Sequence, residues 1–184
     1  VCKVYKDETS LEEKLELYDS IRHEVIALSL LAQYAPNNPH LVHFCGLIIS
    51  CDYPAIVMKR YEMNLACFLN NSSLMCFDAC RQIILGVCAA VTKLHQLNIL
   101  HLDIKPDNIL MEKRRDWWCP VLADFGASEL IPDNTDDLID LQNRIGEHTT
   151  YFFLPYEFMS SDRIHELIGY TLLQSRIYAH FYGL

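Results

Sequence analysis

Leu11, Leu15, Tyr18, Ile21, Val25, Leu28 and Leu31 recur at three- and four-residue steps, and this apolar stripe commits the early chain to one long amphipathic helix. Ser10-Leu11-Glu12-Glu13 fits a capping box at its start, in which the Ser hydroxyl accepts from the third helical amide and Glu13 reaches back. Pro36-Asn37-Asn38-Pro39 ends it. Ahead of the helix, Val1 to Tyr5 puts Val, Lys and Tyr on one face and Cys and Val on the other, which predicts a strand. After it come two apolar runs, Leu41 to Ser50 and Ala55 to Met58, separated by the hairpin-like turn Cys51-Asp52-Tyr53-Pro54. The order so far is strand, helix, strand, strand.

From Leu65 the pattern turns helical. Phe77, Cys80, Ile84, Val87, Cys88, Val91 and Leu94 mark a second strong helix that runs into Asn98-Ile99-Leu100-His101. The one candidate boundary is the short polar stretch Lys59 to Asn64, and no internal repeat or low-complexity tract is present.

Composition excludes several classes. With 184 residues, 51% hydrophobic and 21% charged, the chain has the make-up of one globular domain with a core. A net charge of -9 argues against nucleic acid or anionic lipid as partner, since both call for clustered Lys and Arg. The one dense basic cluster, Lys113-Arg114-Arg115, reads as a solvated loop. The eight cysteines form no CxxC pair and lie mostly in apolar segments, which predicts free, buried thiols in a reducing compartment. No apolar run has the length of a membrane span or the flanks of a signal peptide, so the default expectation is a soluble cytoplasmic or nuclear protein.

Chemistry concentrates after the second helix. His101-Leu102-Asp103-Ile104-Lys105-Pro106-Asp107-Asn108-Ile109-Leu110 sets a carboxylate, an ammonium and a carboxamide at fixed offsets before an apolar strand, and Asp124-Phe125-Gly126 follows 16 residues past Asn108. Phosphoryl transfer needs a carboxylate to orient a hydroxyl and accept its proton, oxygen ligands for Mg²⁺, and a cation for developing charge. Asp103, Asn108 with Asp124, and Lys105 can fill those roles in that order. Hard oxygen ligands without converging His or Cys point to Mg²⁺ rather than zinc.

These two segments resemble the H-R-D-x-K-x-x-N catalytic loop and the D-F-G of protein kinases, in the right order. The resemblance implies an α+β bilobal kinase fold, with an incomplete strand-rich small lobe at 1–58, a hinge at 59–64 and an incomplete, mainly helical large lobe at 65–184. It implies ATP and Mg²⁺ as cofactors and a protein as substrate. Val1-Cys2-Lys3 is similar to the end of the family's V-A-I-K strand, so Lys3 would hold the α- and β-phosphates and Glu24, on the first long helix, would pair with it. Lys6, the competing lysine, faces the other side of the strand by two-residue periodicity. Met58 would be the gatekeeper, Arg60 and Tyr61 with Lys59 would offer backbone groups to adenine, and Val1 and Leu110 would sandwich the base. Leu28, Phe44, His101 and Phe125 would stack as an apolar column. Lys105, two residues after Asp103, resembles the serine/threonine pattern.

Leu102 replaces the arginine that in many kinases binds a phosphorylated activation loop, which puts that mode of regulation in doubt. Thr135, Thr149, Thr150 and Tyr151 fall between the D-F-G and Leu154-Pro155-Tyr156-Glu157, an imperfect version of the family's A-P-E. Arg176 stands where an anchoring aspartate is expected, and the family's glycine-rich loop would precede Val1 and is not in this chain. Within the family, the loop and D-F-G segments are similar to the Mos group and more distantly to myosin light chain kinases. An active serine/threonine kinase is the main expectation. The alternative is a pseudokinase or kinase fragment acting as a binding or scaffold module; a small-molecule phosphotransferase is disfavoured by Lys105 and by the Phe-Gly after Asp124.

Overall fold

The computed structural model describes residues 1–5, 11–49, 54–71 and 76–132, with side chains described throughout except at 11–16. Lys6, Ser10 of the capping box, the side chains of the rest of that box, most of the 51–54 turn, and the later segment with Thr135, Thr149, Thr150, Tyr151, 154–157 and Arg176 lie outside the described residues.

Three strands, β1 (Cys2–Val4), β2 (Phe44–Ile48) and β3 (Ala55–Met58), form an antiparallel sheet in the order β1-β3-β2. Its register pairs Lys3 with Ile56 and Ile48 with Ala55. Alternation along β1 leaves Cys2 and Val4 exposed while Lys3 is half-buried and Tyr5 buried, as a period of two demands. Of the expected run Leu41 to Ser50, β2 takes up Phe44–Ile48, with a bulge between Phe44 and Gly46 that shifts its register on β3. Gly46 takes φ 152°, a conformation that favours glycine, although a side chain there would meet nothing within 4 Å.

Helix α1 spans Leu11–Tyr34, so the expected helix and its end before Pro36 both hold. Its inward face carries Ile21, Glu24, Ala27, Leu28 and Leu31. Tyr18 is the exception: it is 62% exposed and lies off the stripe. A charged Glu24 in the middle of a buried apolar face costs free energy unless it is paired.

The second layer is built from β4 (Met63–Asn64), β6 (Ile109–Arg114) and β7 (Trp117–Leu122), with the short helix α2 (Leu65–Leu69) between the first two. Asn64 caps α2 by accepting from the Cys67 amide at 2.8 Å. The β6–β7 hairpin runs in register from Ile109 opposite Leu122 to Arg114 opposite Trp117. Lys113 and Arg114 are therefore strand residues rather than loop. Trp117 and Trp118 favour extended pairing, and the two cations lie over their rings, at 5.9 Å for Lys113 on Trp118 and 5.6 Å for Arg114 on Trp117.

Helix α3 (Phe77–Gln96) starts where the Cys76 sulfur accepts from the Ala79 amide, has Asp78 in its first turn and Lys93 and His95 in its last, as the helix dipole favours. It buries Ile83, Gly86, Ala90 and Leu94. Of the expected stripe only Leu94 is fully buried, while Phe77, Ile84 and Cys88 are exposed. The segment is apolar nearly all round, so periodicity could not choose the face. The small residues chose it, because they let α3 approach β7. A Cβ on Gly86 would sit 2.4 Å from Pro120 Cγ and 2.8 Å from the His40 ring.

After α3, Asn98 takes φ 55° and turns the chain into β5 (Ile99–Leu100), which pairs with β8 (Glu129–Leu130). This pairing ties the approach to His101 to the segment that follows Gly126. One core, including Leu28, Ile56, Phe68, Leu94, Ile99, Met111 and Phe125, runs through all these elements.

The cysteine expectation needs correction. All seven described cysteines are free, but only Cys119 is buried; Cys2, Cys45, Cys67, Cys76 and Cys88 are exposed because they sit on outward-facing positions of their strands and helices. Among the described residues, no helix is long and apolar enough to cross a membrane.

Candidate active site

Strand β1, helix α1 and the turn after β7 converge on one ammonium. Lys3 Nζ lies 2.7 Å from Glu24 Oε2 and 2.7 Å from Asp124 Oδ1, joining residues far apart in sequence. Burial alone would lower the Lys3 pKa, but the Glu24 and Asp124 carboxylates outweigh it and hold the ammonium above its ordinary range. Glu24 is fully buried and, among the described residues, its Oε1 has no partner and its two donors both fall on Oε2. The second donor is the Tyr5 hydroxyl. Sequence reasoning gave Tyr5 no role, although its place on the same strand face as Lys3 was already legible.

A second cluster forms in the 101–110 segment. Lys105 Nζ is 2.7 Å from Asp103 Oδ2, and Asn108 Nδ2 donates to Asp103 at its carbonyl oxygen (2.9 Å) and at Oδ2 (2.8 Å). A 3₁₀ turn at Pro106–Asn108, opened by proline at its first position, brings Asn108 back toward Asp103. The two clusters share a frame. The Ala123 amide donates to the Asn108 carbonyl at 2.9 Å, extending the β6–β7 register to the residue before Asp124.

His101 is the bolt of this frame. It is buried, bonds through Nε2 to the Ala123 carbonyl at 3.0 Å, accepts the Asp103 amide at Nδ1 (3.3 Å), and packs its ring 4.9 Å from that of Phe125. Those partners define a neutral ring with its proton on Nε2. Burial pushes the imidazole pKa down, against smaller opposing effects of the Ala123 carbonyl and the Asp124 and Asp103 carboxylates. Leu102 and Asp124 take φ 63° each, beside His101 and Phe125. For non-glycine residues this backbone is strained, and the pairing network around it keeps both turns in place. Nothing in the sequence signals either angle. Ser128 closes the second turn, its hydroxyl donating to the Phe125 carbonyl at 2.6 Å.

The remaining expected site residues differ in burial and partners. Met58 and Val1 exchange backbone hydrogen bonds, Met58 being half-buried and Val1 exposed. Arg60 is exposed, while the half-buried Tyr61 accepts the His43 amide on its hydroxyl at 3.1 Å. Leu110 is half-buried and packs against the core. Leu28 and Phe125 are fully buried core members, with Phe44 partly buried against the same core.

The donor set fits a hard divalent cation. Asn108 commits its nitrogen to Asp103, a contact that does not use its side-chain oxygen, and the Asp124 side chain is 45% exposed with Oδ1 engaged by Lys3. A carboxylate and a carboxamide oxygen suit Mg²⁺, which keeps its other positions for water and phosphate.

The chain belongs to the protein kinase domain family: the model described as "Protein kinase domain" matches residues 1–170. Among curated relatives it is 32% identical over 118 residues to the Dual specificity protein kinase shkB of Dictyostelium discoideum, covering 61% of this chain and 17% of that protein. It is 28% identical over 119 residues to the Serine/threonine-protein kinase dkf-2 of Caenorhabditis briggsae, covering 64% of this chain and 10% of that one. It is 30% identical over 131 residues to the Phosphorylase b kinase gamma catalytic chain, liver/testis isoform, of Mus musculus, covering 70% and 30%. The matched segments thus span less than a third of these relatives' lengths.

Proposed function

We propose that the chain carries the catalytic machinery of a serine/threonine protein kinase, transferring the γ-phosphate of ATP to protein hydroxyls. One observation carries this reading: a single ammonium, Lys3, held at 2.7 Å by both Glu24 and Asp124, from two elements that meet only in the folded chain. Lys3 fixes the α- and β-phosphates, and Glu24 keeps it there. Asp103 orients the attacking hydroxyl and takes its proton as the oxygen–phosphorus bond forms and the bond to ADP breaks. Lys105, next to Asp103, offsets charge on the transferring phosphoryl group. Asn108 and Asp124 would hold Mg²⁺, which would supply positive charge to offset that of the phosphates.

In this reading residues 1–58 and 65–184 form two lobes joined by a hinge at 59–64. Val1, Met58 and Leu110 line the adenine, with the backbone of Arg60 and Tyr61 at its edge. The assembled Asp103, Lys105 and Asn108 cluster favours catalysis over the scaffold alternative. Serine and threonine specificity rests on Lys105 and on the kinds of kinase named among the relatives, and a place near the Mos group rests on the loop sequence.

The test is transfer of labelled γ-phosphate from ATP to a mixed protein substrate, followed by identification of the labelled side chains. Wild type should label serine and threonine, and Asp103→Asn should lower the rate by roughly 10²–10⁴-fold, the usual worth of a positioned base. Full activity of Asp103→Asn, or label on tyrosine alone, would contradict the assignment.

A further inference from the structure

We propose that Tyr5 is a positioning residue of this site, whose hydroxyl holds Glu24 in the one orientation that captures Lys3. The inference rests on the kinase reading for its purpose, and on the following contacts for its substance. The Glu24 carboxylate is fully buried; among the described residues its Oε1 has no partner, and its Oε2 receives both Lys3 and Tyr5. A buried carboxylate with one donor and one orphaned oxygen is poorly compensated. The Tyr5 hydroxyl is the only other described donor bonded to it, and it comes from the same strand as Lys3, two residues on.

The ring acts as well. Lys3 Nζ lies 5.3 Å from the centroid of the Tyr5 ring, so one side chain presents a donor to the anion and a π face to the cation of the same pair. Tyr5 is itself buried, and its phenol is held well above its ordinary pKa by burial and by the Glu24 carboxylate, so it remains a donor throughout the working pH range. The backbone adds a further constraint. Tyr5 N donates to the Pro54 carbonyl at 3.2 Å, which fixes the end of β1 against β3 and aims the phenol at α1. The consequence is a lysine–glutamate pair assembled before nucleotide arrives, with strand β1 clamped to helix α1.

The experiment is acylation of Lys3 by a water-soluble amine-reactive ester at pH 8, without nucleotide, read by peptide mass spectrometry against exposed Lys113 as internal reference. Tyr5→Phe keeps the ring and removes only the donor. It should speed Lys3 labelling about threefold to tenfold over wild type, the size expected for loss of one ordinary hydrogen bond. In a Glu24→Gln background, Tyr5→Phe should change the rate far less. Unchanged Lys3 labelling in Tyr5→Phe would overturn the proposal. A readout on wild type covers failure of the variant to fold: the Tyr5 hydroxyl proton should give a slowly exchanging, downfield NMR signal, and a rapidly exchanging one would overturn the proposal equally. A parallel arm separates the two levels of inference. If Mg²⁺·ATP does not shield Lys3 in wild type, the kinase reading falls, while the nucleotide-free comparison still decides the role of Tyr5.

Discussion

His101 shows how a single side chain can hold a site without touching the chemistry. It ties the Asp103 turn to the Asp124 turn through the Ala123 carbonyl, the Asp103 amide and the Phe125 ring. Both nitrogens are used in a way that only the neutral ring satisfies. Its pKa is lowered by burial, so the unfolded chain takes up a proton near pH 6.5 that the folded chain refuses. The sign follows: this contribution to stability is complete above about pH 6.5 and shrinks as pH falls below it toward the folded-state value. Urea unfolding at pH 7.5 and 5.5 should show wild type losing more stability than His101→Phe, by up to about 1.4 kcal/mol per pH unit in that window. Equal losses would show that His101 titrates alike in both states. At this scale the sequence was most informative for charged groups. Lys3, Glu24, Asp103, Lys105, Asn108 and Asp124 were all named from spacing and resemblance. Tyr5, the φ values of Leu102 and Asp124, and the double load on Glu24 Oε2 were not, because they depend on which atoms meet across the fold.

Helix α3 and hairpin β6–β7 carry the lesson at the scale of elements. The existence of both helices was legible, and so was the end of α1 at Pro36, because these depend on local periodicity and on breakers. The buried face of α3 was not legible, since Ile83-Ile84-Leu85-Gly86-Val87-Cys88-Ala89-Ala90-Val91 offers an apolar residue in every direction. Close approach to β7 selected the small residues instead. Gly86→Ala tests this. Alanine would gain up to about 1 kcal/mol in helix propensity. Its Cβ, however, would lie 2.4 Å from Pro120 Cγ, and overpacking of this kind costs about 1–3 kcal/mol. The expected outcome is a net loss of about 1–2 kcal/mol in chemical denaturation. A gain would mean that α3 does not pack on β7 at this distance. The basic cluster at 113–115 gives a similar lesson: its reading as loop failed because the following tryptophans supplied cross-strand partners for the two cations.

Across the described residues, two three-stranded sheets and two long helices share one core, and the candidate site lies where elements from both halves of the sequence meet. The order strand, helix, strand, strand, helix followed from pattern alone. The pairing of Lys3 with Glu24 followed from resemblance to protein kinases and was then found in the geometry; the meeting of Lys3 with Asp124, 121 residues apart, came from the geometry alone. The central claim is that this site binds Mg²⁺·ATP. Thermal unfolding with and without Mg²⁺·ATP, beside an Asp124→Ala variant, tests it directly. At a ligand concentration 100 times Kd, binding to the folded state adds about 2.7 kcal/mol, or roughly 5–10 °C for a domain of this size. The account predicts such a shift in wild type, dependent on the metal and lost in Asp124→Ala. A wild type whose unfolding temperature is unmoved by saturating Mg²⁺·ATP, or an Asp124→Ala variant that shifts as much as wild type, would contradict it.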